Sequence, residues 1–205
     1  LHPPVVGTLA SLTAVFGPTV KSAEAGRIFM VTSTAAATPT AGNIAYAAVD
    51  RHADGPAAAR TALRFVSESG DDGALATRDV SYAELARLAK RFTNVLRTAG
   101  IGKGDRVFTL MGRCPELYIT ILGALRNGTV VSPLFSAFGP EPIATRLDIG
   151  AADVLVTTRA LYDRKIAKIR DRLTSLRHVF IVDDGTGADE PGISRFWRLM
   201  DAAAD

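Results

Sequence analysis

Gly100-Ile101-Gly102-Lys103-Gly104-Asp105-Arg106-Val107-Phe108-Thr109-Leu110-Met111 admits two readings, and they imply different proteins. Three glycines around a lysine suggest a phosphate loop. Such a loop follows a strand and opens a helix, so that free helix amides face the anion. Here the order is reversed. Upstream, Ser81 and Glu84 make a Ser-x-x-Glu capping box. Leu85, Leu88, Phe92, Val95 and Leu96 then recur at helical spacing. The pattern predicts a helix over 83–99 with Gly100 as its stop. Downstream, residues 106–111 read as a buried strand. The glycines are therefore a helix C-cap and a tight turn.

The same alternation continues outward. Pro115 suits a first helical position, and Leu117, Ile121, Leu122 and Leu125 form an apolar stripe ending at Asn127-Gly128. Residues 129–133 are the next short apolar run. Residues 140–149 read as a helix with Ile143 and Leu147 on one face and Gly150 as its stop. A strand is expected over 154–157, a helix over 161–173 with Ile166 and Ile169 inward, a strand over 178–182 and a last helix over 193–200. Short strands alternating with helices imply a parallel sheet covered on both faces. Right-handed crossovers make this an α/β fold, a doubly wound parallel sheet flanked by helices. Residues 63–66 and 76–80 are placed to add a small antiparallel hairpin before the first helix.

The chain changes character near Gly42. From Leu1 to Ile44 the only charged residues are Lys21, Glu24 and Arg27, and prolines and glycines interrupt every period. Residues 1–42 are read as a poorly specified N-terminal arm and residues 43–205 as the folded unit. The 205 residues are 47% hydrophobic and 22% charged, which excludes global disorder. Lys and Arg total 24 against 21 Asp and Glu, and the signs are interspersed, so no nucleic-acid partner is expected. A single Cys excludes an intramolecular disulfide framework and a multi-cysteine zinc site. His2, His52 and His178 are too dispersed for a local two-histidine metal motif. No apolar run is long enough to span a bilayer, and no basic segment precedes the apolar stretch 5–16. A cytoplasmic location without a membrane partner is the expectation.

Local chemistry offers no catalytic constellation. Cys114 stands before Pro115 at a helix start, where a thiol pKa can fall, but no histidine lies nearby and a passive role is favoured. His52, between Arg51 and Asp54, reads as a surface or capping residue. The four carboxylates of residues 183–190 read as a solvated loop, without EF-hand spacing. Two segments are richer. Residues 132–142 leave a parallel strand and enter a helix, where ligands of such sheets bind. Phe135 and Phe138 with small neighbours could form a slot for an aromatic ring with an anionic tail; on physics alone a packed loop with both rings in the core is preferred. Arg159, Arg164, Lys165, Lys168 and Arg170 follow the third strand. Arg164 and Lys165 could hold phosphates, although an exposed helix face is the plainer reading.

These residues also carry a resemblance. Asn43-Ile44-Ala45-Tyr46 and Val49-Asp50-Arg51-His52-Ala53 resemble the opening segment of acetate–CoA ligases. Val80-Ser81-Tyr82-Ala83-Glu84-Leu85 is similar to the T/S-Y-x-E-L start of adenylate-forming enzymes, and Gly102-Lys103-Gly104-Asp105-Arg106-Val107 to their G-x-x-x-G-D-R-V turn. Pro115-Glu116-Leu117-Tyr118, residues 123–128 and residues 132–143 continue the match. Phe135-Ser136-Ala137-Phe138-Gly139-Pro140-Glu141-Pro142 is closest to the acetyl-CoA synthetase branch. The order and spacing of these pieces carry the likeness, which runs from Asn43 to Val182.

The resemblance implies an incomplete N-terminal part of an AMP-forming acetate–CoA ligase. Such an enzyme joins ATP and a carboxylate into an acyl-adenylate and pyrophosphate, and CoA thiol then displaces AMP. Acetate is the implied acid, with propionate or another short-chain acid as the alternative. A non-catalytic α/β module binding a ligand or a partner subunit is a further alternative. The family's Ser/Thr-Gly-rich loop ending in Pro-Lys-Gly is not found in the sequence. ATP and Mg2+ sites are therefore expected in the C-terminal remainder, which would be this chain's partner, and the chain alone is expected to be inactive. What carries over is part of a CoA surface: Phe135, Ser136 and Ala137, with Arg164 and Lys165 near the phosphates.

Overall fold

The computed structural model describes residues 43–69, 74–183, 190 and 192–205. The proposed arm 1–42 lies outside the described residues, as does most of the acidic loop at 184–189. The chain opens in a wide helical turn, Tyr46–Asp50, continued by Arg51–Ala53. An antiparallel hairpin follows, β1 (Thr61–Ser69) and β2 (Ala74–Ser81), then α1 (Tyr82–Thr98). From there run β3 (Arg106–Leu110), α2 (Pro115–Asn127), β4 (Val130–Pro133), α3 (Pro140–Ile149) and β5 (Val154–Thr158). The chain ends with α4 (Arg159–Lys165), a 3₁₀ segment (Ala167–Arg172), β6 (His178–Val182), β7 (Ile193–Arg195) and α5 (Phe196–Ala202).

The predicted capping box holds: Ser81 accepts the Glu84 amide at 3.1 Å. Gly100 ends α1 at φ +71° and Gly104 turns into β3 at φ +89°. That turn is fixed by the Asp105 carboxylate, which accepts the Gly102 amide at 2.8 Å. The C-cap-and-turn reading of the glycines is correct.

β3 to β7 form one parallel sheet in the order β4-β3-β5-β6-β7. Alternate residues of each strand enter two separate cores. Val107, Val131, Val154, Val156 and Phe180 pack with α1, α2, α5 and the opening turn. Phe108, Leu110, Leu155, Val179 and Ile181 pack with α3, α4 and the 3₁₀ segment. Both faces are thus covered, which is why these strands show no apolar–polar alternation. In the first core Phe92 stacks on Phe196 at 5.4 Å and meets Phe180 edge-on at 6.4 Å. Truncating so buried a ring costs about 3–5 kcal/mol. α1 and α2 approach closely at Gly123, where a Cβ would stand 2.8 Å from the Ala89 carbonyl. The Thr93 hydroxyl sits at this crossing, donating to the Ala89 and Gly123 carbonyls at 3.0 Å each.

Two expectations need correction. The last helix, expected over 193–200, begins only at Phe196, because Ile193–Arg195 joins the sheet edge as β7, parallel to β6. The helix expected over 161–173 is two pieces: Ile166, at φ −111°, separates α4 from the tighter 3₁₀ segment. Gly150 stops α3 as expected, at φ −79°, and the left-handed conformation falls on Ala151, at φ 43°.

The sheet's amino edge is tied by charge. Asp153 accepts the Arg106 amide at 2.9 Å and pairs with the guanidinium groups of Arg106 at 2.8 Å and Arg177 at 3.2 Å. Arg177 also reaches Asp105 at 3.1 Å. The opening segment is anchored on α2. Asn43 donates to the Leu125 carbonyl at 3.2 Å, and buried Asp50 pairs with Arg126.

Candidate functional site at the carboxyl edge of the sheet

β3 leads into α2 on one face, whereas β4 and β5 lead into α3 and α4 on the other. The strand order reverses at β3, so the loops after β3 and β5 diverge from adjacent strand ends. Ligands of open parallel sheets bind beyond such carboxyl ends. The Thr157 hydroxyl donates to the Leu110 carbonyl at 2.6 Å and joins the two strand ends there.

Next to this point, β4 runs into a compact turn. The Leu134 amide continues the ladder to the Thr109 carbonyl at 2.7 Å, and the Phe138 amide closes back on the Phe135 carbonyl at 3.1 Å. Ser136 and Ala137 are therefore the central residues of a four-residue turn. The expectation that both rings enter the core fails for one of them. Phe138 is half-buried against the second core, while Phe135 is 63% exposed. The two rings meet edge-on at 5.4 Å, and the Arg146 guanidinium lies 4.2 Å over the Phe138 ring.

The helix that follows is a poor anion site. Of the first three residues of α3, Pro140 and Pro142 carry no N–H, and only Glu141 offers a free helical amide. The Glu141 carboxylate is held in a two-point pair with Arg172 at 2.8 and 2.9 Å, which keeps its pKa below the ordinary value. The anionic-tail part of the expected slot has no support in this helix start.

The cations of α4 divide into distinct roles. Lys165 reaches across to the turn, where its ammonium donates to the Ser136 carbonyl and, at 2.6 Å, to the Phe138 carbonyl. Arg164 is exposed, with its Nε on the Ala160 carbonyl one turn back. Arg159 pairs with Glu190 at 2.8 Å. Arg170 caps the Leu173 and Leu176 carbonyls at 3.3 and 2.8 Å, and Lys168 is exposed. The reading of these cations as one exposed face holds for only some of them.

Residues 49–197 match the family model described as AMP-binding enzyme. This chain belongs to that family. The acetyl-coenzyme A synthetase of Bacillus subtilis (strain 168) is 39% identical over 141 residues, or 68% of this chain and 23% of that protein. The 3-hydroxypropionyl-coenzyme A synthetase of Metallosphaera sedula is 37% identical over 123 residues, or 60% of this chain and 18% of that protein. The crystal structure of Brucella canis acyl-CoA synthetase superposes with a TM-score of 0.66 at 27% identity, covering 96% of this chain and 30% of that one. Coronafacic acid ligase from Pectobacterium brasiliense shares the fold at 19% identity and a TM-score of 0.64. The chain thus spans about a fifth to a quarter of the length of the curated relatives it matches.

Within this family member the residues expected to meet CoA are only partly assembled. Phe135, Ser136, Ala137 and Lys165 come together; Arg164 stays on its own helix face. The Arg146 cation over Phe138 was missed in the sequence, and its only signal there was a basic residue two helical turns past an aromatic. Cys114 is passive, as expected: burial pushes its thiol up to about 11. Among the described residues no group of three or more His, Cys, Asp or Glu could hold a metal ion. The described residues therefore do not fit Mg2+. No described helix is long and apolar enough to cross a membrane.

Proposed function

We propose that this chain is the N-terminal part of a cytoplasmic AMP-forming acetate–CoA ligase and supplies one wall of its CoA site. Acetate and ATP would give acetyl-adenylate and pyrophosphate, and the CoA thiol would then take the acetyl group and release AMP. The described residues contribute binding rather than bond-making. Family membership supports the reaction class, and the relatives from Bacillus subtilis and Metallosphaera sedula support a short-chain acid. The 3-hydroxypropionyl-coenzyme A synthetase likeness also favours a second reading, a ligase for a slightly larger acid.

The observation that carries the CoA reading is Phe135. A phenyl ring left 63% exposed at a strand's carboxyl end, on a turn with small central residues, offers a flat apolar surface beside accessible backbone. Phe135, Ser136 and Ala137 would line CoA, with Arg164 available for a phosphate and Lys165 beside it. Calorimetric titration of the purified chain with CoA tests this. Saturable binding that Phe135→Ala weakens is expected, and unchanged binding in that variant refutes the surface. The same preparation is expected to show no acetate-dependent ATP–pyrophosphate exchange; measurable exchange would refute the view that adenylation needs the remainder of the enzyme.

A further inference from the structure

Lys165 was expected to meet a CoA phosphate, but its geometry describes a different task. An ammonium has three donors and no acceptor. Two of the three here are directed at backbone carbonyls of one turn, those of Ser136 and Phe138, which lie on either side of Ala137. No carboxylate pairs with Lys165 among the described ion pairs. The contact joins the last residue of α4 to the segment between β4 and α3, elements 27 and 29 residues apart in sequence. On its other side the turn is backed by Phe138, which Arg146 covers. The ring of Phe135 touches Phe138 edge-on and otherwise stands exposed.

We propose that Lys165 is a positioning residue: it fixes the Phe135–Phe138 turn so that the Phe135 ring is presented in one place to CoA, and it does not itself bind the CoA 3′-phosphate. This rests on the CoA reading of the turn. Charge-assisted bonds to carbonyls hold backbone more firmly than neutral ones, and a turn fixed before binding saves the ligand the cost of ordering it. A lysine used this way leaves recognition of the phosphates to Arg164 and to other parts of the enzyme.

The test uses the 205-residue chain, its Lys165→Met, Phe135→Ala and double variants, and two probes, CoA and dephospho-CoA, which lacks the 3′-phosphate. Amide hydrogen exchange at residues 136–139 is followed without ligand. The expected result has three parts. Exchange in the turn speeds up in Lys165→Met. Both probes weaken by the same factor, about tenfold for the loss of one charge-assisted contact set. The double variant binds no more weakly than Phe135→Ala, because the two side chains act through one element. Unchanged exchange overturns the clamp. Weakening confined to CoA, with dephospho-CoA unaffected, makes Lys165 a phosphate ligand and also overturns it. If Phe135→Ala leaves CoA binding unchanged, the CoA reading of the turn fails and the role given to Lys165 fails with it, while the exchange result still reports separately whether the lysine holds the turn. Lys165→Gln, read in the same way, replaces the Met variant if that one does not fold.

Discussion

Gly150 lies directly beneath the ring of Phe108: a Cβ built on it would stand 2.4 Å from Cζ and 3.1 Å from Cε2. Phe108 is fully buried between β4 and β5 and has no room to withdraw. Gly150→Ala is therefore expected to lower stability by about 1–3 kcal/mol through overpacking. The neighbouring position should respond in the opposite direction. Ala151 holds φ 43°, a conformation that costs an L-residue roughly 1–2 kcal/mol and a glycine almost nothing. After the entropy a glycine adds to the unfolded chain, Ala151→Gly should gain a few tenths to about 1 kcal/mol. Urea unfolding of both variants checks the pair, and equal signs would refute the account.

Asp50 and Arg126 are buried together, so removing one partner strands the other. Arg126→Met is expected to cost about 3 kcal/mol. Burial raises the Asp50 pKa above its ordinary 3.8, outweighing the Arg126 charge that lowers it. The folded chain then binds this proton more tightly than the unfolded one. Its contribution to stability is complete below pH 3.8 and is lost as pH rises through the folded value. Asp50→Asn removes that part of the pH dependence. Because Asn stands for the neutral carboxyl, the native protein should lose stability relative to the variant as pH rises through the folded value; a difference that stays constant with pH refutes the assignment.

Asp153 organises the amino edge of the sheet, opposite the carboxyl edge that carries the Phe135 turn. Asp153→Ala removes one partner from two arginines that are 34% and 45% exposed and can be rehydrated, and Arg177 keeps Asp105. The loss is therefore expected to be moderate, roughly 1–3 kcal/mol, most of it from the orphaned Arg106 amide. CoA affinity should be unchanged. A large fall in affinity without unfolding would show that the two edges are coupled.

Cys114 caps α2, yet its thiol is held up to about 11 by burial and by the neighbouring Glu116. Near neutral pH it should react with iodoacetamide about 100-fold more slowly than an ordinary thiol, and the rate should keep rising tenfold per pH unit beyond pH 9. A rate that levels off near pH 8 would refute the buried environment.

What was legible in the sequence follows from how much chain each signal averages over. α1 has five apolar residues over four turns and a capping box, and its bounds differ from expectation by a single residue. β7 has three residues and no measurable period; it is a strand because β6 offers an edge, which only the tertiary structure supplies. Gly150 was legible as the stop of α3, which it is; that it also leaves space for a ring 42 residues earlier in the chain was not. At the site, residue types pointed to residues 132–142 and the resemblance to residues 135–137, but neither told which phenylalanine faces solvent, because a turn has no period to assign its faces. The partners of Lys165 are carbonyl groups, and a carbonyl is the same at every position, so no motif could announce that contact.

The strand order has a consequence for synthesis on the ribosome. β3 and β4 can pair as soon as residue 133 has emerged, and β5, β6 and β7 then each add to an edge built from residues already released. The sheet can thus grow in the direction of translation, without long pairings waiting for distant sequence. The vulnerable moment comes after β6 and before β7. Val179, Phe180 and Ile181, all buried in the finished chain, then lie on an open outer strand. A nascent chain that stalls there would present its most adhesive edge to its neighbours.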